Sequence, residues 1–210
     1  MKLTIFGANG KTGTSLVCQA LEAGHEVTAV VRDTARLAVP PHSRLRVVTA
    51  DVMDPAAIAP AVSGADIVVS AVGPHGRAAT TILRDSTRSI IAAMKKSGAK
   101  RLMTVSGSMV DDTGDGFFLR HVGKPMTRRI FKGPCADMRH AEDQIHASTL
   151  DWTILRPPRL TDKGGTRTYR TAIDRNLVHG FALSRTDLAT SILTLSGDPT
   201  TIGKHVFMAN

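Results

Sequence analysis

The sequence predicts an α/β fold of the doubly wound kind, a parallel sheet with helices on both faces, and three observations carry that expectation. Short apolar runs rich in β-branched residues recur at 2–6, 26–32, 45–50, 66–72, 101–106 and 152–156. Most of them are separated by segments of helical periodicity, and strands alternating with helices imply parallel pairing. Glycines at 24, 64 and 98 stand where helix ends call for a left-handed residue.

Taken in order, the first run passes through "GANGKTG" into a helix over 12–23, and the second and third runs follow. A short helix over 55–62 and a longer one over 80–97 carry the chain to the fourth and fifth runs, and a helix over 137–148 leads to the sixth. After Pro157 and Pro158 the rhythm breaks into the polar stretch "TDKGGTRTYR", a small C-terminal extension from the sheet on the substrate side. A final helix over 185–195 precedes the terminal strand "HVFMAN". With no internal repeat, low-complexity tract or linker, residues 1–210 read as a single domain.

Composition narrows the class. A hydrophobic fraction of 42% with 21% charged residues is ordinary for a soluble globular chain and argues against disorder or a fibrous repeat. No apolar run approaches the roughly 18 residues of a membrane span. The chain starts directly on a strand without a signal-peptide pattern, so the cytoplasm is the expected location. Cys18 and Cys135 lie far apart without CxxC spacing, which suggests neither a disulfide framework nor a metal site. The net charge of +9 is compatible with nucleic acid, an anionic membrane or an anionic ligand. Its densest cluster, Arg120, His121, Lys124, Arg128, Arg129 and Lys132, is interleaved at helical spacing with Phe117, Phe118, Leu119, Val122, Met126, Ile130 and Phe131. That pattern reads as an amphipathic lid whose charges are solvated, with no nucleic-acid or membrane partner expected.

Gly7, Gly10 and Gly13 follow a strand and open a helix, the context in which such a spacing carries meaning. The first permits a tight turn, the second lets backbone approach a pyrophosphate, and the third lets helix and sheet pack closely. The helix N-terminus then offers N–H groups and a positive dipole end, with Asn9, Lys11 and Thr12 on the same loop. The second strand ends at Arg32, followed by Asp33 and Arg36. An arginine there accommodates a 2′-phosphate, so NADP is favoured over NAD, while Asp33 one residue later keeps NAD open. Asp51 and Val52 end the third strand, where they meet an adenine. Ala71, Val72 and Gly73 end the fourth, beside the strand-order reversal where open sheets bind ligands. His75 reads as a solvent-exposed loop residue.

With "GANGKTG", "VVRDTARL", "DVMD", "AVG", "RLMTVSGS", "DWTILRPPRLTD" and "SRTDLA" in order, the chain resembles the atypical short-chain dehydrogenase/reductases over essentially its whole length. It is most similar to the NAD(P)H-binding group that includes biliverdin reductase B (a flavin reductase) and NmrA-like proteins. The resemblance implies a Rossmann-type sheet, pyrophosphate contact at the 7–13 loop, 2′-phosphate contact at Arg32, adenine contact at Asp51 and Val52, and nicotinamide-side contact around Gly73 and 106–108. By the same resemblance Ser108 corresponds best to the catalytic serine, with Ser106 the second candidate.

Ordinary members of that superfamily pass a proton through a tyrosine and a lysine four residues later. The only tyrosine here is Tyr169, the residue four later is Ile173, and Pro134 and Met138 stand in the approximate places of the pair. Carbonyl substrates would lack their proton relay, whereas flavins, quinones and linear tetrapyrroles spread charge and draw a proton from solvent. Where biliverdin reductase B-like proteins carry a histidine after the paired prolines, this chain has Arg159, suited to an acceptor carboxylate or phosphate. Phe117 and Phe118 are expected to stack on a flat acceptor, and Arg156 to anchor its strand end. Glu142 and His140, two positions apart, cannot share one helical face. The expected function is an NADPH-dependent oxidoreductase acting on a small-molecule acceptor, as a monomer or homodimer. The alternative is an NmrA-like NADP-binding redox sensor without turnover.

Overall fold

The central strands read as continuous apolar runs because, in the computed structural model, both of their faces are covered. The structure describes residues 1–74, 81–117, 119–166 and 168–210, and of Leu119 the backbone. Its strands are β1 (Lys2–Phe6), β2 (Glu26–Val31), β3 (Leu45–Thr49), β4 (Ile67–Ser70), β5 (Arg101–Val105), β6 (Asp151–Arg156), β7 (Arg159–Thr161), β8 (Arg170–Ile173), β9 (Ala182–Ser184) and β10 (Lys204–Ala209). Its helices are α1 (Lys11–Glu22), α2 (Pro55–Val62), α3 (Ile82–Ser97), α4 (Lys124–Ile130), α5 (Lys132–His146) and α6 (Arg185–Ser196).

The main sheet runs β3-β2-β1-β4-β5-β6-β10-β8, a Rossmann-type order that reverses between β1 and β4. Its pairings are parallel except that β8 lies antiparallel to β10. Strands β7 and β9 form a separate parallel pair in the C-terminal extension.

Successive residues send their side chains to opposite faces. Ile5, Val69, Met103 and Leu155 join Leu16 and Val17 of α1 and Leu188 and Ile192 of α6 in one core layer. Their chain neighbours Phe6, Val68, Leu102 and Ile154 join Ile58 of α2, Ile90 and Met94 of α3 and Ile145 of α5 in the other.

Three departures from the sequence reading have physical causes. Helix α5 begins at Lys132 rather than near 137, because Pro134 falls in the first turn, where N–H groups have no intrahelical partner to lose. Asp137 is therefore inside the helix, and its buried carboxylate accepts from the backbone N–H of Leu83 at 2.9 Å and of Arg84 at 3.0 Å. It caps α3 from outside, since Thr81 makes no side-chain cap of its own. The lid segment is a π-helical turn (Leu119–Gly123) continued by α4; Arg120, His121, Arg129 and Lys132 are exposed as expected, but two cations and several apolar residues are not placed as expected. Lys124 is buried, whereas Val122, Met126 and Ile130 are exposed. Lys124 and Arg128 turn inward because an acidic loop at 111–115 receives them. Strands β8 and β9 lie in the C-terminal part of the chain, where the sequence reading placed only an extension and a helix.

In "SRTDLA", Ser184 caps α6 by accepting from the N–H of Asp187 at 2.9 Å. The fully buried Asp187 accepts in turn from the Ser184 hydroxyl at 2.8 Å and from Asn210 Nδ2 at 3.1 Å. These two motif residues therefore bind the start of the last helix to the end of the last strand.

Candidate functional site

The turn between β1 and α1 tolerates only glycine at two of its three positions. Gly7 has φ of +77°, and a Cβ there would stand 2.6 Å from the Ala71 carbonyl carbon and oxygen. A Cβ on Gly13 would come within 2.1 Å of the Gly7 oxygen, so this glycine sets how closely α1 packs on the turn. Gly10 is different: a Cβ would meet only the Gly7 oxygen, at 3.2 Å, which leaves its outer side to whatever lies in front of the loop. No side chain caps α1 at Gly10 and its first turn holds no acid, so its leading N–H groups remain available to an anion.

In front of this turn, at the carboxyl ends of β1, β2, β4 and β5, lies a cleft of about 910 Å³. It brings together Gly7, Asn9, Gly10, Lys11, Thr12, Arg32, Arg36, Asp51, Val52, Ala71, Val72, Gly73 and Ser106. Gly13 supports the turn from behind. Asn9 Nδ2 donates to the Asp33 carbonyl at 2.8 Å and ties the glycine loop to the end of β2. The Asp33 carboxylate accepts from the N–H of Ala35 at 2.9 Å, which engages it in a local turn beside Arg32 and Arg36. One Asp51 oxygen is similarly used, accepting from the Met53 N–H at 3.0 Å.

Two polar atoms of cleft-lining residues, Asn9 Oδ1 and Ser106 Oγ, are buried without a hydrogen-bond partner among the described residues. Buried polar atoms are ordinarily satisfied, so a bound group with donors at both ends of the cleft fits them. Together with the uncapped α1 terminus, they suit a dinucleotide laid along the cleft.

Not every expected residue reaches this space. Ser108 starts a short 3-10 turn and donates its N–H to the Pro157 carbonyl at 2.9 Å, outside the cleft lining. Arg159 is exposed on β7, and its neighbour Leu160 faces the cleft instead. Phe117 is 81% exposed and does not line it. Phe118 and His75 lie outside the described residues. Arg156 anchors its strand: it pairs with Glu142 at 2.5 Å and Asp111 at 2.6 Å, which commits Glu142 to a buried ion pair. Burial alone would raise the Asp111 carboxyl, but hydrogen bonds from Thr113 and the Arg156 charge outweigh it and hold it below the usual range.

Other lining residues escaped the sequence reading, among them Ile82, Leu83, Leu160 and Arg185. Met138, noted only as a replacement, forms part of the wall with them. Lys11 pairs with Asp162 at 2.5 Å, and Arg185 reaches the same carboxylate, so the glycine loop and the start of α6 are bridged at the cleft. The Lys11 hydrogen bond, reinforced by the Arg185 charge, holds the Asp162 carboxyl below its ordinary range. A second depression of about 600 Å³, lined by Lys2, Arg44 and Arg46, meets none of the motif residues and lies at the other ends of β1–β3.

The model of a family described as NAD(P)H-binding matches residues 7–199. An uncharacterized protein of Bacillus subtilis, YwnB, is 26% identical over 200 residues, covering 92% of this chain and 91% of that one. Among solved structures, a short-chain dehydrogenase/reductase from Veillonella parvula in complex with NADP has a TM-score of 0.84 at 20% identity, covering 100% of this chain and 94% of the other. ChuY, an anaerobillin reductase from Escherichia coli O157:H7, has a TM-score of 0.80 at 24% identity, with 100% and 97% covered.

Proposed function

This chain belongs to the NAD(P)H-binding family, and from that premise we propose that it is an NADPH-dependent oxidoreductase transferring hydride to a flat conjugated acceptor such as a flavin, a quinone or a biliverdin-like tetrapyrrole. One observation carries the reading: the glycine-loop cleft continues into an aliphatic wall of Val72, Ile82, Leu83, Met138 and Leu160 around the Ser106 hydroxyl. No tyrosine lines it among the described residues. An acceptor that needs a built-in acid would be poorly served there, and one that draws its proton from solvent would not.

Reduced nicotinamide supplies the hydride when bound. The chain's own residues bind and orient. Free N–H groups of the first α1 turn take the pyrophosphate, and Arg32 with Arg36 takes the 2′-phosphate, which favours NADP. Asn9 Oδ1 accepts and Ser106 Oγ accepts or donates at the cleft floor, and the aliphatic wall excludes water from the acceptor face. The NADP held by the Veillonella neighbour and the reductase name of ChuY support this reading.

The test is steady-state oxidation of NADPH and of NADH with flavin mononucleotide, a soluble quinone and biliverdin. Saturable turnover that prefers NADPH is expected. Tight NADPH binding with no turnover on any of the three would overturn the enzymatic reading.

A further inference from the structure

The segment 117–132, which follows the carboxyl end of β5, turns two of its cations inward and leaves apolar side chains outward. On its inward side Lys124 pairs with Asp115 at 2.6 Å, both side chains being buried, and Arg128 grips Asp112 through two bonds of 2.9 and 2.8 Å. On its outward side Val122, Met126 and Ile130, spaced four residues apart, are 48%, 62% and 52% exposed, and the preceding Phe117 is 81% exposed. A helix held by ordinary core packing places these the other way round. The same acidic loop is stitched to the stretch 174–181, where the Asn176 N–H donates to the Thr113 carbonyl at 2.7 Å. That stretch adds Val178 and Phe181, also exposed.

We propose that this apolar face rests on an anionic lipid surface. Arg120, Arg129 and Lys132 are exposed between and beside the apolar residues, the arrangement of a helix lying in a membrane interface. The whole chain carries +9, which adds a long-range attraction to negative headgroups. The expectation of no membrane partner drew on span length and on reading the basic cluster as a solvated lid, and no described helix is long and apolar enough to cross a bilayer. A surface-lying helix needs no such length. A second copy of the chain is a poorer occupant, because a two-fold pairing of this patch would set the same cations against one another. Arg128 Nε donates to the Met109 carbonyl at 2.7 Å, on the segment that continues from Ser106. The lipid-facing surface and the cleft therefore share one end of the sheet, where an acceptor dissolved in the bilayer would arrive.

The experiment is co-flotation of the full chain with phosphatidylcholine vesicles and with vesicles that also contain phosphatidylglycerol, at low and raised salt. Binding to the anionic vesicles alone, weakened by salt, is expected. Arg120→Gln with Arg129→Gln should lower it about thirtyfold, from roughly 1 kcal/mol per basic residue near such a surface. Met126→Glu with Ile130→Glu should lower it at least as far. NADPH affinity, read on the same variants, should stay unchanged and so separates lost docking from lost fold. Failure to bind anionic vesicles, or undiminished binding by the glutamate pair, overturns the proposal. So does concentration-dependent dimerisation, or capture of an acidic protein, through this face without vesicle binding.

Discussion

At the scale of single residues, the cleft separates positions that hold the turn from positions that meet a ligand. Gly13→Ala would drive a methyl into the Gly7 carbonyl at 2.1 Å, backbone against backbone. A loss of about 3 kcal/mol or more in unfolding free energy is expected, measured by denaturant titration. Gly10→Ala, facing only one atom at 3.2 Å, should keep the fold and lose cofactor affinity. Arg32→Gln removes a charged partner for a 2′-phosphate, so KM for NADPH should rise about tenfold or more while that for NADH stays nearly constant. An equal rise for both would assign Arg32 to something other than the phosphate. The glycine loop and Arg32 were legible in the sequence because backbone geometry and charge demand particular residue types. Met138 and Leu160 were not, since any apolar residue can form a wall and nothing in the local sequence says which one faces a cleft.

At the scale of elements, the strands and long helices were legible because burial on both sheet faces leaves an unmistakable apolar rhythm. The ends of elements were harder wherever a distant residue sets them. Helix α3 is capped by Asp137 of α5, more than fifty positions away, at 2.9 and 3.0 Å. Asp137→Ala would leave two N–H groups of that helix start without their acceptor, at a cost of about 2 kcal/mol. Asp137→Asn, which retains one acceptor oxygen, should cost less, and thermal unfolding of the two variants checks the order. The lid was misread at two of its six cations, for a related reason. Charges at helical spacing ordinarily face water, but the 111–115 loop supplies acids that draw Lys124 and Arg128 inward. Lys124→Met alone would strand the Asp115 carboxylate in a buried position, a loss of about 3 kcal/mol. Adding Asp115→Leu should restore most of it, because the uncompensated charge goes with its partner. A double variant no more stable than the single one would show that the pair does more than neutralise itself.

At the scale of the whole molecule, the amino ends of β6 and β10 carry a cluster that makes stability depend on pH. His205 Nε2 lies 3.0 Å from His146 Nε2, and both rings pack against Trp152, with centroids 5.3 and 5.0 Å from it. Burial, then the nearby Arg156 charge, pushes the His205 imidazole below its ordinary value, and Glu142 and Asp174 only partly offset this. The unfolded chain therefore binds the proton more readily than the folded one as pH falls through about 6.5. The stability this neutral histidine contributes is complete above that value and drains away below it. Asp111, whose carboxyl is held low in the fold, acts in a separate window: its contribution persists until pH falls below about 4. Two steps of acid destabilisation should result, a shallow one from the histidine and a steeper one from the carboxylates. His205→Gln should affect only the first, making the fall in melting temperature between about pH 7.5 and 5.5 shallower, with the remainder left to His25, which burial also holds low. Trp152, the only tryptophan, reports the transition from within the cluster. An unchanged slope in His205→Gln would move the source of the first step to another group.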